Sequence, residues 1–204
     1  MMYYFWIFMI GSFIGWLEET IWCIIKNRRY ESRKGLLYFH LIPIYGVACL
    51  IITMVIKLLK IKNGFIIFLT GALICSVVEY ACSFLQEKLL GTKSWDYKKM
   101  KFNLFGRINL LYSMFFGLLS LAWINLFLPL FDGCYFSLNT RHMSVITEVF
   151  VIFVIFDMII SFLAVYRMNE RKNNVKRKGK FWNFIDKKYN DDRVKRVYAN
   201  LEFV

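Results

Sequence analysis

Residues 79–107 read EYACSFLQEKLLGTKSWDYKKMKFNLFGR, and the fold turns on how this stretch is placed. It starts inside an apolar run, leaves it at Gly91, and reaches a second apolar run at Arg107. It carries Glu79, Glu87 and Asp96 together with Arg107, Trp95, Tyr97 and Asn103. Acids deep in an apolar run confer no solubility on a membrane protein, so they should face one another, a base, a ligand or water.

The composition around this stretch points to the bilayer. Of 204 residues, 58% are hydrophobic and 19% aromatic, more apolar surface than a soluble domain of this length can hide. Five apolar runs, at about residues 2–25, 41–59, 64–86, 108–131 and 145–167, each approach the roughly 20 residues that a bilayer core requires. The N-terminus lacks a basic region and a small-residue cleavage site, so it reads as a retained helix. The expected fold is all-α: a polytopic membrane protein with five transmembrane helices over residues 1–167, then a basic cytoplasmic tail over 168–204. Trp182, Ile185 and Tyr189, then Val194, Val197, Tyr198 and Leu201, suit a short amphipathic helix or pair in that tail; a solvated basic tail is the other reading.

Lysine and arginine set the orientation. The loop after the first run, the loop after the third and the tail hold 23 of the 27 basic residues. The turn after the second run (Lys57, Lys60, Lys62) and the loop after the fourth (Arg141) hold the other four. The positive-inside rule then gives N-terminus out and C-terminus in. The net charge of +13 thus points to topology and to the anionic inner leaflet as a partner. No recognition motif accompanies it, so no nucleic acid partner is expected.

Gly11, Gly15 and Glu18 follow one another at steps of four and three, on one helical face. Small residues there admit another helix. Gly71, Cys75, Glu79, Ser83 and Glu87 repeat the design at steps of four, and the fifth run adds Asp157 and Ser161. Glu18 and Glu79 each lie about 10 Å from the inner end of their helices, and Asp157 about 15 Å, at about 1.5 Å per residue. The expected topology gathers them with Arg107 in the cytoplasmic half.

The motifs GSFIGWLEET (11–20), PIYG (43–46), the Glu79–Glu87 helix, WDY (95–97) and FNLFGRINL (102–110), with Asp157 in the fifth run, resemble a bacterial family of type IV ABC-transporter permeases, the CmpB-like family. Transmembrane protein 229 of animals is similar at greater distance. The resemblance covers roughly residues 5–165. This chain departs from the family pattern at SRKG (32–35), at Phe39 and His40, and at Asn109, positions that bear on loop packing more than on the acids. The resemblance implies a cell-membrane transport subunit. The chain has no GxxxxGK[ST], so any ATPase would be a separate polypeptide. The first loop (26–40) or residues 91–106 would dock it, within a homo- or hetero-oligomer.

Three chemistries suit the acids. A polar pocket of Glu18, Glu79, Ser83, Glu87, Asp157 and Arg107 could bind a cationic or zwitterionic substrate. Glu18, Glu79 or Asp157 could pair with Arg107 and fix helix register, as buried pairs do. Two carboxylates near a lipid headgroup could serve a lipid-handling enzyme, but no DxxD, HExxH or nucleophile elbow supports catalysis. The last alternative is a structural or sensory membrane protein. The five cysteines are scattered without CxxC, and His40 and His142 lie far apart in expected loops, so neither a metal nor a cofactor is expected. Trp95 and Tyr97, flanking Asp96, read as interfacial anchors. Asn103 and Gly106 shape the entry to the fourth helix, and Tyr45 and Gly46 follow Pro43 at the start of the second.

Overall fold

The computed structural model describes residues 2–137 and 140–204. Among them, four helical stretches are long and apolar enough to cross a membrane: Met2–Asn27, Gly64–Leu90, Leu110–Ser137 and Ser144–Lys172. Together with their lipid-like exposed faces they make the chain an all-α membrane protein. The helix of the second apolar run, Pro43–Leu59, has 17 residues and extends about 25 Å at about 1.5 Å per residue. The side chains of Arg141 and His142 lie outside the described residues. The backbone of His142 belongs to the first turn of a helix where a loop was expected.

Local chemistry explains the boundaries. Helix α1 is Met2–Asn27. Pro43 opens α2 (Pro43–Leu59), where the missing N–H costs nothing. Asn63 caps α3 (Gly64–Leu90) by accepting from the backbone N–H groups of Phe65 and Ile66, and Gly91 closes it in a left-handed conformation. Asn109 caps α4 (Leu110–Ala122) through the N–H of Leu111. The fourth run then departs from a regular helix. Trp123–Phe127 form a π-turn before α5 (Leu128–Ser137). Pro129 supplies a physical reason: it cannot donate to the Asn125 carbonyl, and its ring would strike it, so the preceding turn widens. The fifth run is α6 (Thr140–Lys172), followed by α7 (Lys180–Lys188) and α8 (Asp191–Val197).

Helix α1 packs chiefly on α2, and α3 on α4. The first contact depends on glycine. A Cβ on Gly15 would collide with the ring of Tyr45, and one on Gly46 with Ser12 and the Phe8 carbonyl. At one end of the bundle Tyr3 donates to Asp132 (2.6 Å), and Lys57 pairs with Asp132 (3.3 Å). That end therefore holds the start of α1, the end of α2 and part of α5.

The other end is a folded cap. Strand β1 (Thr92–Lys93) pairs antiparallel with the C-terminal strand Glu202–Phe203, and Arg33 bridges Tyr198. Leu37 of the first loop, Ile160, Ala164 and Met168 of α6, and Ile185, Tyr189, Val194 and Tyr198 of the tail share one apolar cluster. Arg167, 2% exposed, grips Asp186 with two hydrogen bonds (3.0 and 2.7 Å) and Glu170 with a third (2.7 Å). The first loop, residues 91–109 and the tail thus meet at one end.

Candidate functional site

The polar residues of the bundle fall into three groups, each set by the backbone that surrounds it.

Asp157 on α6 is 1% exposed, and its oxygens are occupied. They accept from the backbone N–H groups of Tyr38 (3.2 and 3.1 Å) and Phe39 (2.8 Å), and from the Ser161 hydroxyl (3.1 Å). Ser161 in turn accepts from the N–H of Leu37 (2.9 Å). Lys34 is near enough for Asp157 to favour its charged form, although burial prevails and lowers the Lys34 pKa. The carboxylate therefore acts as an anchor for the turn between α1 and α2.

Arg107 pairs with Glu87 (2.6 Å) and donates to the Ser83 hydroxyl (3.1 Å). Its guanidinium lies over the rings of Tyr80 and Phe84, 5.9 and 5.6 Å from their centroids. Trp95 donates its indole N–H to the Arg107 carbonyl (2.9 Å). Of the acids expected beside Arg107, the structure brings it Glu87; Glu18, Glu79 and Asp157 form no ion pair with it.

The third group lies where α1, α2, α3 and residues 91–109 converge. Glu79 is 5% exposed; one oxygen accepts from the Tyr97 hydroxyl (2.9 Å), and the other is buried with no hydrogen-bond partner. Tyr97, expected at the membrane interface, instead turns inward. The reason is the fold of residues 91–109: its N–H donates to the Gly106 carbonyl (2.8 Å), and its ring stacks on Tyr112 of α4 at 4.9 Å. The Tyr97 pKa is raised, chiefly by burial, then by the Glu79 carboxylate and its hydrogen bond, with weaker pressure from Tyr112 and Glu19. Tyr97 therefore remains a donor. Across from it, Tyr45 on α2 donates to Glu19 on α1 (2.8 Å). Glu18, half-buried on α1, makes no hydrogen bond among the described residues. Asp96 sits outside this group, exposed and paired with Lys93 (2.6 Å), which holds its pKa below the usual range.

Glu19 is the participant that the sequence left in the background. The stripe of Gly11, Gly15 and Glu18 drew attention to the other acid, although Glu19 lies four residues beyond Gly15 on the same helical face. Its neighbour Glu18 and its partner Tyr45 were the available signals. Beside this group is a cavity of about 50 Å³ lined by Tyr45, Cys49, Cys75, Phe116, Ser120 and Trp123, among others. Trp123 reaches it from the π-turn and donates to the Thr53 hydroxyl (2.9 Å).

Six of the acids have no ion pair among the described residues: exposed Glu148 and Asp192, Asp157, which backbone N–H groups and Ser161 satisfy, and the three of the third group. Glu31, Glu87, Asp96, Asp132, Glu170, Asp186, Asp191 and Glu202 each pair with a lysine or arginine. Glu18, Glu19 and Glu79 have no such pair among the described residues, although they sit in the bundle. No group of three His, Cys, Asp or Glu side chains with metal-binding geometry occurs among the described residues.

The family model described as "putative ABC-transporter type IV" matches residues 6–162. No curated protein and no solved structure matches the chain.

Proposed function

The chain belongs to the ABC-transporter type IV family, and from that premise we propose that it is the membrane subunit of a cell-membrane transporter. Its cation site is built on Glu18, Glu19 and Glu79, with Tyr45 and Tyr97 as orienting donors. The carrying observation is three neighbouring carboxyl groups with no basic partner among the described residues, one oxygen of Glu79 being buried with no hydrogen-bond partner. The substrate class is an organic cation or a zwitterion presenting an ammonium. Ser83, Glu87, Arg107 and Asp157 hold the surrounding helices and loops in position.

Five spans, with the N-terminus out and the C-terminus in, complete the proposal. Two observations support it. The basic loops and the tail meet at one end of the bundle. The start of α1 meets the α2 end and α5 at the other. Helix α2 is short for a span, but Lys57 near its end can snorkel, and the bilayer can thin locally. The ATPase lies outside residues 1–204, which contain no P-loop.

The test is Glu79→Gln in lipid nanodiscs. The amide keeps an acceptor for Tyr97 and removes a buried charge. Thermal stability should hold or rise, while stabilisation by ethanolamine, choline or putrescine should be lost. A lower melting temperature would make Glu79 structural, and unchanged responses to all three would remove it from the site. Mild-detergent purification through an N-terminal tag should bring down an ATPase in stoichiometric amount.

A further inference from the structure

Residues 98–107, KKMKFNLFGR, lead into α4 as a short hairpin. Asn103–Leu104 pair antiparallel with Ile108–Asn109, and Gly106 turns the chain at φ +70°. The hairpin is braced from within. The Asn103 side chain accepts from Gly106 N–H (2.9 Å) and donates to the Met100 carbonyl (2.7 Å). Asn109 donates to the Lys101 carbonyl (2.6 Å). Arg107 fastens the base to α3 through Glu87 and Ser83.

This bracing holds two phenylalanines in the left-handed region, Phe102 at φ 58° and Phe105 at φ 53°. Bulky residues rarely adopt that conformation. Neither ring is repaid in burial within the protein: Phe102 is 79% exposed and Phe105 73%. Phe105 meets the edge of Tyr80, with centroids 6.5 Å apart. A backbone strained so as to display two rings outward calls for something that receives them.

What surrounds the hairpin identifies the receiver. It runs without interruption into the outward face of α4, where Leu110, Leu111, Met114, Phe115 and Leu118 are exposed. That face belongs to a helix long and apolar enough to cross a bilayer. Lys98, Lys99 and Lys101 are exposed on the same short segment. Apolar rings continuous with a lipid-facing helix, set among lysines, match the boundary between acyl chains and anionic headgroups.

We infer that residues 98–107 are a lipid-binding wedge. The rings of Phe102 and Phe105 enter the headgroup–acyl boundary of an anionic leaflet, and Lys98, Lys99 and Lys101 bind lipid phosphates. None of the wedge's side chains makes a hydrogen bond or ion pair with Glu18, Glu19 or Glu79; its link to that group is the backbone bond from Tyr97 N–H to the Gly106 carbonyl (2.8 Å).

The full-length chain in nanodiscs provides the test. Trifluoromethyl-phenylalanine replaces Phe102 or Phe105, one at a time, with Asn174 in the exposed linker after α6 as the reference position. Fluorine relaxation is read with a headgroup-proximal nitroxide lipid and with a water-soluble gadolinium chelate. At 102 and 105 the nitroxide lipid should act several-fold more strongly than at 174, and the chelate several-fold more weakly. The contrast should grow when phosphatidylglycerol replaces part of the phosphatidylcholine, and Lys98→Gln, Lys99→Gln and Lys101→Gln together should abolish that growth. Chelate access at 102 and 105 equal to that at 174 would overturn the proposal. So would protection that arises only when a co-purified ATPase is added, which would make the hairpin a protein-docking surface.

Discussion

Asp157 and Glu79 are both carboxylates buried in apolar helices, at 1% and 5% exposure. Their surroundings give them opposite tasks. Asp157 accepts from the backbone of Tyr38 and Phe39 and from Ser161. Asp157→Asn turns one acceptor into a donor facing N–H groups, and should cost about 1.5–3 kcal/mol, the range for hydrogen bonds to charged groups. A thermal melt in detergent would read this as a lower midpoint, whereas Glu79→Gln should show no such loss. An intact melt for Asp157→Asn would remove its anchoring role. At the helix contact, Gly46→Ala puts a methyl into Ser12 and the Phe8 carbonyl; overpacking of this kind costs about 1–3 kcal/mol. The same melt checks it, and a midpoint equal to the parent's would mean that α1 and α2 separate freely. The glycine stripe on α1 was legible because helical spacing alone defines a face. Glu19 continues that stripe four residues beyond Gly15, but which of the two adjacent acids meets a partner is decided by the location of Tyr45 on α2.

Among the elements, the π-turn and the tail carry the least regular information. The sequence contains the cause of the first in Pro129. Its effect, aiming Trp123 at Thr53, requires the neighbouring α2. Pro129→Ala restores an N–H to Asn125, so the turn should relax to α and draw Trp123 away from Thr53. The loss should be near 1 kcal/mol, with a shift in tryptophan emission that is absent in a Trp123→Phe background. An unshifted spectrum would show that packing, not proline, sets the turn.

In the tail, the hydrogen bonds from Arg167, and secondarily from Arg171, hold the Asp186 carboxyl below its usual range against the opposing effect of burial. A depressed carboxyl contributes stability above the ordinary Asp value, about 3.9, and loses it as pH falls through the folded value. Hydrogen exchange of residues 185–197, taken relative to the intrinsic amide rate at each pH, should therefore stay slow from pH 8 to 5 and quicken below about pH 4. Asp186→Asn should be faster already at pH 7 and lose most of the acid step. A step of unchanged size in that variant would assign the transition to another carboxyl.

For the whole molecule, the proposed five spans make a prediction about sidedness. Single cysteines at Tyr30 and Asn174 in a cysteine-free chain should be labelled from the cytoplasmic face, and one at Lys62 from the outside, in right-side-out and inverted vesicles. Labelling of Lys62 from the cytoplasmic face would make α2 and α3 something other than a pair of crossings. The sequence by itself determined that this is a membrane protein of helices, because apolar length and backbone hydrogen bonding leave helices as the way for such runs to enter a bilayer. It also determined the family, whose motifs persist as local strings. Only the tertiary structure decided how the acids divide. Asp157 goes to the Tyr38–Phe39 backbone, Glu87 to Arg107, and Glu79 to Tyr97 with one oxygen left over. The physical reason is that helical spacing specifies the direction a side chain leaves its own axis. Its partner depends on the rotation of the other helices and on where a loop folds back, and those are settled by packing across the whole bundle.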